Sequence, residues 1–285
     1  MYFHLPFITA FLVSFASARY GSLLESIGTG PGPWQNASYF EEYNQSPNAT
    51  GSGPLYSVNT SVAPPTGQIV SWDTRINVTE VPWTAKETVT NTVISFDTQD
   101  NIFPSNSSWQ TCVILFTNVP RNVTVKGQND PGDCTTLYTK ECISDFNSAI
   151  LFARLSAGGP CPGSLLNIIP NSCAGSIIAD FSTAQIVSNQ THGSAWMSRS
   201  SDPHDSADFT FYEEAVTRIW PILIMQSPSE DFRGTGLSFS NMSCLRAKNI
   251  TSGSKNVNDV PGAGSRMALG GWTLFVVMGA MSLFF

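Results

Sequence analysis

Carboxylates are the first side chains to consider for catalysis in this sequence. A glycosidase needs two carboxyl groups that flank the scissile bond, one acting as an acid and the other as a base or nucleophile. The candidates are Asp73, Glu80, Asp97, Asp180, Glu213 and Glu214. Nothing in their spacing selects a pair, and the adjacent Glu213 and Glu214 would point to opposite faces of a strand. Solvated carboxylates on an acidic surface are the simpler interpretation.

A catalytic serine with a histidine base, or a metal site, has less support in the sequence than a carboxylate pair. The sequence contains no Gly-x-Ser-x-Gly elbow, and no neighbouring residue marks His192 as a general base. Zinc sites commonly use a Cys-x-x-Cys pair, which is also absent, and His192 and His204 are the only histidines after His4. We therefore predict no catalytic residue, no metal site and no bound cofactor.

Tryptophan side chains offer a different chemistry, because the flat apolar face of a sugar ring can stack on an aromatic ring without any charge. The strand-like surroundings of Trp72, Trp109 and Trp220 predict that these three pack in the core. Trp83, which follows a proline, and Trp196, which lies in a Ser- and Gly-containing stretch, are predicted to be exposed. These two are candidates for glycan stacking.

Apolar segments at both ends of the chain predict where the protein is located. The apolar run over residues 5–15 is closed by Ala16-Ser17-Ala18, which is typical of a secretory signal peptide cleaved after Ala18. Residues 267–285 carry no charged side chain and follow the small triplet Gly262-Ala263-Gly264. This pattern predicts a glycosylphosphatidylinositol (GPI) anchor on Gly262, with residues 263–285 removed. The triplet Ser252-Gly253-Ser254 is the alternative attachment site, and a retained transmembrane helix is the alternative for the tail.

The charge of the chain narrows the range of partners. The formal net charge is -7, and it becomes -8 when the single positive charge of Arg266 is removed with the tail. Nucleic-acid-binding proteins present basic surfaces, so this class is excluded. The predicted partners are the membrane, through the anchor, and cell-wall polysaccharide.

Ten Asn-x-Ser/Thr sequons, in a chain with a signal peptide, predict a glycoprotein. Asn44 is the weakest of them because Pro47 follows its serine. We expect glycans on the other nine, Asn36, Asn48, Asn59, Asn77, Asn106, Asn122, Asn189, Asn241 and Asn249.

Six cysteines in a secreted chain predict three disulfides. Their spacing leaves the pairing open among the 15 connectivities that six cysteines allow. The pairing that we favour is Cys134 with Cys142, Cys161 with Cys173, and Cys112 with Cys244. The last bond would link an internal strand to the final one.

Between the signal peptide and the C-terminal tail, the composition divides the chain into three regions. Residues 19–66 are rich in Gly, Pro, Ser, Thr and Asn, which predicts a flexible, glycosylated N-terminal arm. Residues 67–248 contain β-branched, partly alternating runs, and the apolar run 112–116 predicts a central strand. Pro221 favours an edge strand or a bend for its segment. Residues 249–262 return to Gly, Ser and Asn and are predicted to form a stalk.

One helix stands out within this β-rich region. Apolar residues step by three and four over residues 136–157, with Thr135 or Thr136 as the predicted cap. The residues Asn129-Asp130-Pro131-Gly132-Asp133 before it predict a turn. The predicted fold is mainly β within the α+β class, an antiparallel sandwich-like domain with one prominent helix, stapled by disulfides.

The arrangement resembles GPI-anchored cell-surface glycoproteins of filamentous ascomycete fungi. The resemblance rests first on the apolar segments at the two ends of the chain. It rests also on the segment that runs from Cys112-Val113 through the 129–133 turn to Cys134 and Cys142, and on the final motif Ser243-Cys244-Leu245-Arg246-Ala247. It implies a plasma-membrane or cell-wall location and brings no catalytic residues. The chain departs from haem-binding CFEM modules, which have eight cysteines. It also departs from copper proteins similar to polysaccharide monooxygenases, which begin with a histidine, because the predicted mature start is Arg19.

These observations favour a non-enzymatic, GPI-anchored glycoprotein of the cell surface or cell wall, with a structural, adhesive or glycan-binding role. The alternative is a wall-remodelling glycosidase or transglycosylase. That alternative requires two carboxylates and an aromatic side chain to converge in one cleft.

Overall fold

The structure is a computed structural model. It describes residues 20–21, 27–29, 44–61, 66–97, 109–157, 161–162, 168–178, 181–186, 195–228, 238–252 and 254. The predicted signal peptide, the predicted anchor residue Gly262 and the apolar tail lie outside these residues. Among the helices described, none is both long and apolar enough to cross a membrane.

Within these described residues, eleven strands form two sheets. In spatial order, sheet A contains β1 (Tyr20–Gly21), β7 (Phe181–Ile186), β6 (Trp109–Phe116), β10 (Trp220–Pro228) and β11 (Phe239–Leu245). Sheet B contains β2 (Ile27–Thr29), β8 (Ala195–Ser200), β5 (Glu87–Asp97), β4 (Ile69–Pro82) and β3 (Ala49–Val58), and β9 (His204–Asp205) pairs with β5. Only the short β1–β7 and β2–β8 pairs are parallel among those described. The predicted fold class is confirmed.

The two sheets pack face to face around one apolar core. Alternate residues of β6 and β10, such as Val113, Leu115 and Ile222, face the inner side of sheet B. Trp72 from β4 and Trp220 from β10 are fully enclosed in this core. Trp109 is also buried, so the prediction that these three tryptophans pack inside is confirmed.

A third layer covers the other face of sheet A. It contains α1 (Arg121–Lys126) and α2 (Lys140–Ala157), while α3 (Thr210–Thr217) packs beside the inter-sheet core. Phe146 of α2 packs against Phe116 of β6 with ring centroids 5.8 Å apart and the ring planes tilted by 58°. The helix begins later than predicted, because the hydroxyl of Thr139, not Thr135 or Thr136, accepts the Cys142 N–H at 3.1 Å.

The predicted N-terminal arm is wrong over part of its length. Strand β3 lies inside residues 19–66 and pairs with ten residues of β4. Its glycines and proline suit an edge strand, since Pro54 needs no ladder partner on its outer side and Gly51 allows another backbone to approach closely. The start of the predicted stalk is also wrong, because Thr50 and Asn249 exchange backbone hydrogen bonds at 2.9 Å.

Strand β10 lies inside sheet A, between β6 and β11, so the prediction of an edge strand or a bend from Pro221 is wrong. The proline is tolerated because it lies at the start of the strand. Pairing with β6 begins only at Ile222, which faces Leu115. The missing N–H therefore leaves the ladder with β6 intact.

The three disulfides are present, but their predicted pairing is wrong. The bonds are Cys112–Cys161, Cys134–Cys244 and Cys142–Cys173. All six cysteines lie in the layer between sheet A and α2, where they join the helix side to the sheet. The pairing follows from this layering, which brings the 130–135 turn against β11 and α2 against the 3₁₀ turn Asn171–Cys173.

Candidate functional site

A groove opens where the edges of the two sheets meet the start of α2. Its volume is about 570 Å³, which lies within the range of small-molecule sites, about 300–1,000 Å³. One wall comes from β3, one from the turn before α2 together with the first turns of that helix, and one from β11. The lining residues are Pro54, Tyr56, Pro131, Gly132, Asp133, Thr135, Lys140, Ile143, Ser144, Asn147, Asn241, Met242 and Ser243.

The predicted turn before α2 is confirmed, and a buried aspartate shapes it. Asp130 Oδ1 accepts the N–H groups of Gly132 at 2.8 Å and Cys134 at 3.0 Å. Its Oδ2 accepts the backbone N–H and the hydroxyl of Thr136 at 3.1 and 2.7 Å. Gly132, with φ +120°, adopts a backbone conformation that favours glycine. The turn therefore presents its 131–135 segment to the groove as a fixed wall.

Strand β11 is tied to both other walls of the groove. The Ser243 hydroxyl lies 2.8 Å from the carbonyl oxygens of both Pro54 and Gly132. The Cys244 N–H also donates to Gly132 O at 2.9 Å, and the Cys134–Cys244 disulfide lies directly behind this contact. The groove thus depends on contacts between segments that are far apart in the sequence.

One carboxylate lines the groove. Asp133 Oδ1 accepts the Thr135 hydroxyl at 2.6 Å and the Thr135 N–H at 3.0 Å. These two hydrogen bonds, in that order of importance, lower the pKa of Asp133, and attraction to Lys140 adds to the effect. Asp133 is consequently ionised at neutral pH. It can accept hydrogen bonds from a ligand, but it is unsuited to the role of a general acid.

Two amide side chains in the groove have an unsatisfied oxygen. Asn147 Oδ1 and Asn241 Oδ1 are both buried and have no hydrogen-bond partner. A buried polar atom without a partner costs about 1–3 kcal/mol, so such atoms are rare and often mark a ligand position. Asn147 and Asn241 both line the groove, so a ligand bound there that carries hydrogen-bonding groups would lie next to these two side chains.

An aromatic ring completes the site. Tyr56 projects from β3 with 47% of its surface exposed. Pro54 lies two residues earlier and therefore on the same face of the strand, so the two side chains form an apolar strip beside the polar groups. Sequence reasoning missed Tyr56 because its Gly- and Pro-containing segment resembled an unfolded arm.

The structure does not bring the candidate carboxylates into this groove. Asp73 and Asp97 are register partners on β4 and β5, but Asp73 is exposed, whereas a catalytic acid needs a desolvated setting. Glu213 and Glu214 lie on helix α3, not on a strand. Asp180 lies outside the described residues.

Glu80 takes part in a separate, partly buried polar cluster. Its Oε2 lies 3.2 Å from Nε2 of His204, and its Oε1 accepts the Thr90 hydroxyl at 2.5 Å. Nδ1 of His204 faces the carbonyl oxygen of Asp202 at 3.0 Å, so Nδ1 carries a proton. It cannot then accept a proton from the Ser201 hydroxyl 3.4 Å away. The cluster links β4, β9 and the adjoining turn, and its geometry does not form a nucleophile–base pair.

Neither of the two tryptophans predicted to stack on glycans is seen in the groove. Trp83 is 43% exposed, as predicted, but it occupies the turn between β4 and β5, where its backbone N–H donates to the Glu87 carbonyl oxygen at 2.9 Å. The side chain of Trp196 in β8 lies outside the described part of the structure. Within that described part, no group of three or more His, Cys, Asp or Glu side chains could hold a metal ion.

The sequons occupy different surroundings. Asn48, Asn122 and Asn249 are exposed, while Asn59, Asn77 and Asn241 are partly buried. Asn77 Nδ2, the atom that would carry a glycan, donates to Asn44 Oδ1 at 2.6 Å. Asn36, Asn106 and Asn189 lie outside the described residues.

The groove combines an exposed aromatic ring, an ionised carboxylate and two unsatisfied amides. These groups provide stacking and hydrogen bonding, and one carboxylate does not make an acid–base pair. Comparisons with protein-family models, curated proteins and solved structures found no match, so function is argued from the groove itself.

Proposed function

We propose that this protein is a saccharide-binding glycoprotein of the cell surface and that the groove holds the sugar. The observation that carries the proposal is the pair of unsatisfied amide oxygens on Asn147 and Asn241. A sugar hydroxyl both donates and accepts hydrogen bonds. It would therefore satisfy each amide whichever way the side chain is turned.

The other lining groups fit the same class of ligand. Tyr56 offers a ring face for the apolar side of a pyranose. Asp133 offers an ionised acceptor, and hydrogen bonds to charged groups contribute about 1.5–3 kcal/mol. Lys140 and Ser144 add donors along the first turns of α2. This mixture matches neutral polysaccharide better than a peptide or a lipid.

Binding is better supported than hydrolysis. A glycosidase needs an acid and a base or nucleophile on opposite sides of the bond. Among the described residues that line the groove there is one carboxylate, and the pKa of that group is lowered, whereas a catalytic acid needs a raised pKa.

The proposed location is the outer face of the plasma membrane, with the adjoining cell wall as the source of the ligand. The signal-peptide pattern, the sequons and the GPI-signal pattern support this location. The disulfides also support it, because disulfides persist in oxidising compartments. A wall saccharide within reach of the tether makes an adhesive role the natural use of the groove.

The first test is Tyr56→Ala in the purified ectodomain produced without N-glycans, titrated by calorimetry with β-glucan and chitin oligosaccharides. We expect affinity to fall at least about tenfold, because loss of the stacking surface removes about 1.4 kcal/mol. Tyr56→Phe, which keeps the ring, should retain most of the affinity. Trp83→Ala is the matched control and should bind like the unaltered protein. Loss of binding in the Trp83 variant with full binding in the Tyr56 variant would place the site elsewhere.

A second test uses the unsatisfied amide itself. Asn147→Ala should weaken saccharide binding about fivefold, the equivalent of one hydrogen bond of about 1 kcal/mol. The same change should leave the melting temperature unchanged or raise it, because it removes a buried oxygen without a partner and introduces a better helix former.

Ser148→Ala, on the same helix but outside the groove lining, is the control for the Asn147 variant. It should leave affinity unchanged. If Asn147→Ala lowered the melting temperature and left affinity untouched, the amide would have a structural role and the proposal would lose its main support.

A further inference from the structure

We infer that the N-glycan attached to Asn241 occupies the groove of its own chain, so that glycosylation of this single sequon decides whether the groove can bind an external saccharide. This inference rests on the proposed function, because it uses the same stacking and hydrogen-bonding groups.

The position of the sequon is the first argument. Asn241, Met242 and Ser243 make up one complete Asn-x-Ser sequon, and all three residues line the groove. The next sequon begins at Asn249, which is exposed and lies outside the lining. A glycan on Asn241 would therefore start inside the groove, whereas a glycan on Asn249 would extend into solvent.

The chemistry of the side chain is the second argument. Asn241 Oδ1 is buried without a hydrogen-bond partner among the described residues. Asn77 differs, because its Nδ2 is already engaged with Asn44. Attachment of N-acetylglucosamine at Asn241 Nδ2 places acetamido and hydroxyl groups in the groove that Asn147 also lines.

The remaining walls suit the inner sugars of such a glycan. Tyr56 on β3 faces the same groove and supplies a ring for stacking. Asp133 supplies an ionised acceptor for a hydroxyl. An attached ligand also has a high effective concentration, of the order of millimolar or more, so even weak contacts keep it in place.

The burial of the sequon determines when the glycan must be added. Ser243 is only 4% exposed, and its hydroxyl contacts the Pro54 and Gly132 carbonyls. Its neighbour Cys244 is bonded to Cys134. A transferase could not reach this serine in the folded domain, so attachment precedes docking of β11. The groove then closes around a glycan that is already present.

The experiment uses the secreted, glycosylated ectodomain and a peptide-N-glycosidase that acts on native protein, with release followed at each sequon by glycopeptide mass spectrometry. We expect the Asn249 glycan to be released readily and the Asn241 glycan at least tenfold more slowly, with the difference lost after denaturation. Tyr56→Ala should speed release at Asn241 and leave the rate at Asn249 unchanged.

A second experiment, which measures saccharide binding, tests this inference separately from the proposed function. Asn241→Gln, which keeps an amide and removes the glycan, should bind added chitin oligosaccharide at least tenfold more tightly than the glycosylated protein. Asn249→Gln is the matched control and should bind as the glycosylated protein does.

The outcomes are distinct. An Asn241 site that carries no glycan, or one released as fast as Asn249, would overturn the inference. If in that case the unaltered protein still bound oligosaccharide through Tyr56, the proposed function would stand alone. If neither the unaltered protein nor Asn241→Gln bound any saccharide while the Asn241 glycan stayed protected, the groove would serve only to hold its own glycan.

Discussion

Removal of the Cys134–Cys244 disulfide, by replacing both residues with alanine, is expected to lower the free energy of unfolding by about 4 kcal/mol and to abolish saccharide binding. This bond closes a span of 110 residues, and loss of a native disulfide from a secreted domain costs about 2–5 kcal/mol, more for longer loops. Binding should fail because the bond holds the 131–135 turn against β11, and these segments form two walls of the groove.

Chemical denaturation and calorimetric titration of the same samples measure the two effects. The double variant Cys142→Ala/Cys173→Ala is the control, because its bond spans 31 residues and joins α2 to the 3₁₀ turn Asn171–Cys173, not the 131–135 turn to β11. It should lose stability by a smaller amount, about 3 kcal/mol, and keep its affinity at a temperature where it remains folded. Equal losses of binding in both variants would mean that the groove depends on global stability and not on this particular link.

Gly51→Ala is expected to destabilise the domain by about 3 kcal/mol, near the upper end for overpacking. A Cβ at this position would overlap the carbonyl oxygen of Arg246 and come within 2.9 Å of Ile76 Cγ2. The obstacle is backbone, which cannot rotate away as a side chain does. Strand β3 would have to move from Arg246, and the Thr50–Asn249 hydrogen bonds that join the ends of the domain would break.

Gly53→Ala, two residues along the same strand, is the control for Gly51→Ala. The nearest atoms to a Cβ there are Leu245 Cδ1 at 3.8 Å and Thr74 Oγ1 at 3.9 Å, which is ordinary contact. Its free energy of unfolding should change by less than about 1 kcal/mol, with stabilisation favoured because alanine restricts the unfolded chain. A similar result for both variants would show that the close approach at Gly51 is relaxed in solution.

Some elements could be predicted because their signal is local. The period of two in β5 and the apolar run of β6 identified strands, and the steps of three and four identified α2. The burial of Trp72, Trp109 and Trp220 followed from their place in such runs. The 129–133 turn was evident because its residue types have strong turn preferences.

Other features could not be predicted because long-range packing decides them. Strand β3 carries two glycines and a proline, and its own sequence disfavours a strand. Pairing with β4 and close packing against Arg246 make it one. Glu213 and Glu214 belong to a helix although the flanking apolar residues suggested strands. Cysteine spacing cannot show which face of a sheet the helix covers, and that choice fixes the disulfides.

The sequence by itself determined that this is a disulfide-containing, mainly β protein. It also predicts secretion and glycosylation. All of these signals are carried by short stretches of chain. Only the tertiary structure decided that Tyr56, Asn147 and Asn241 line one groove. These residues lie on β3, α2 and β11, and no local pattern relates them. They meet because burying the apolar faces of the two sheets and of α2 brings these three edges together.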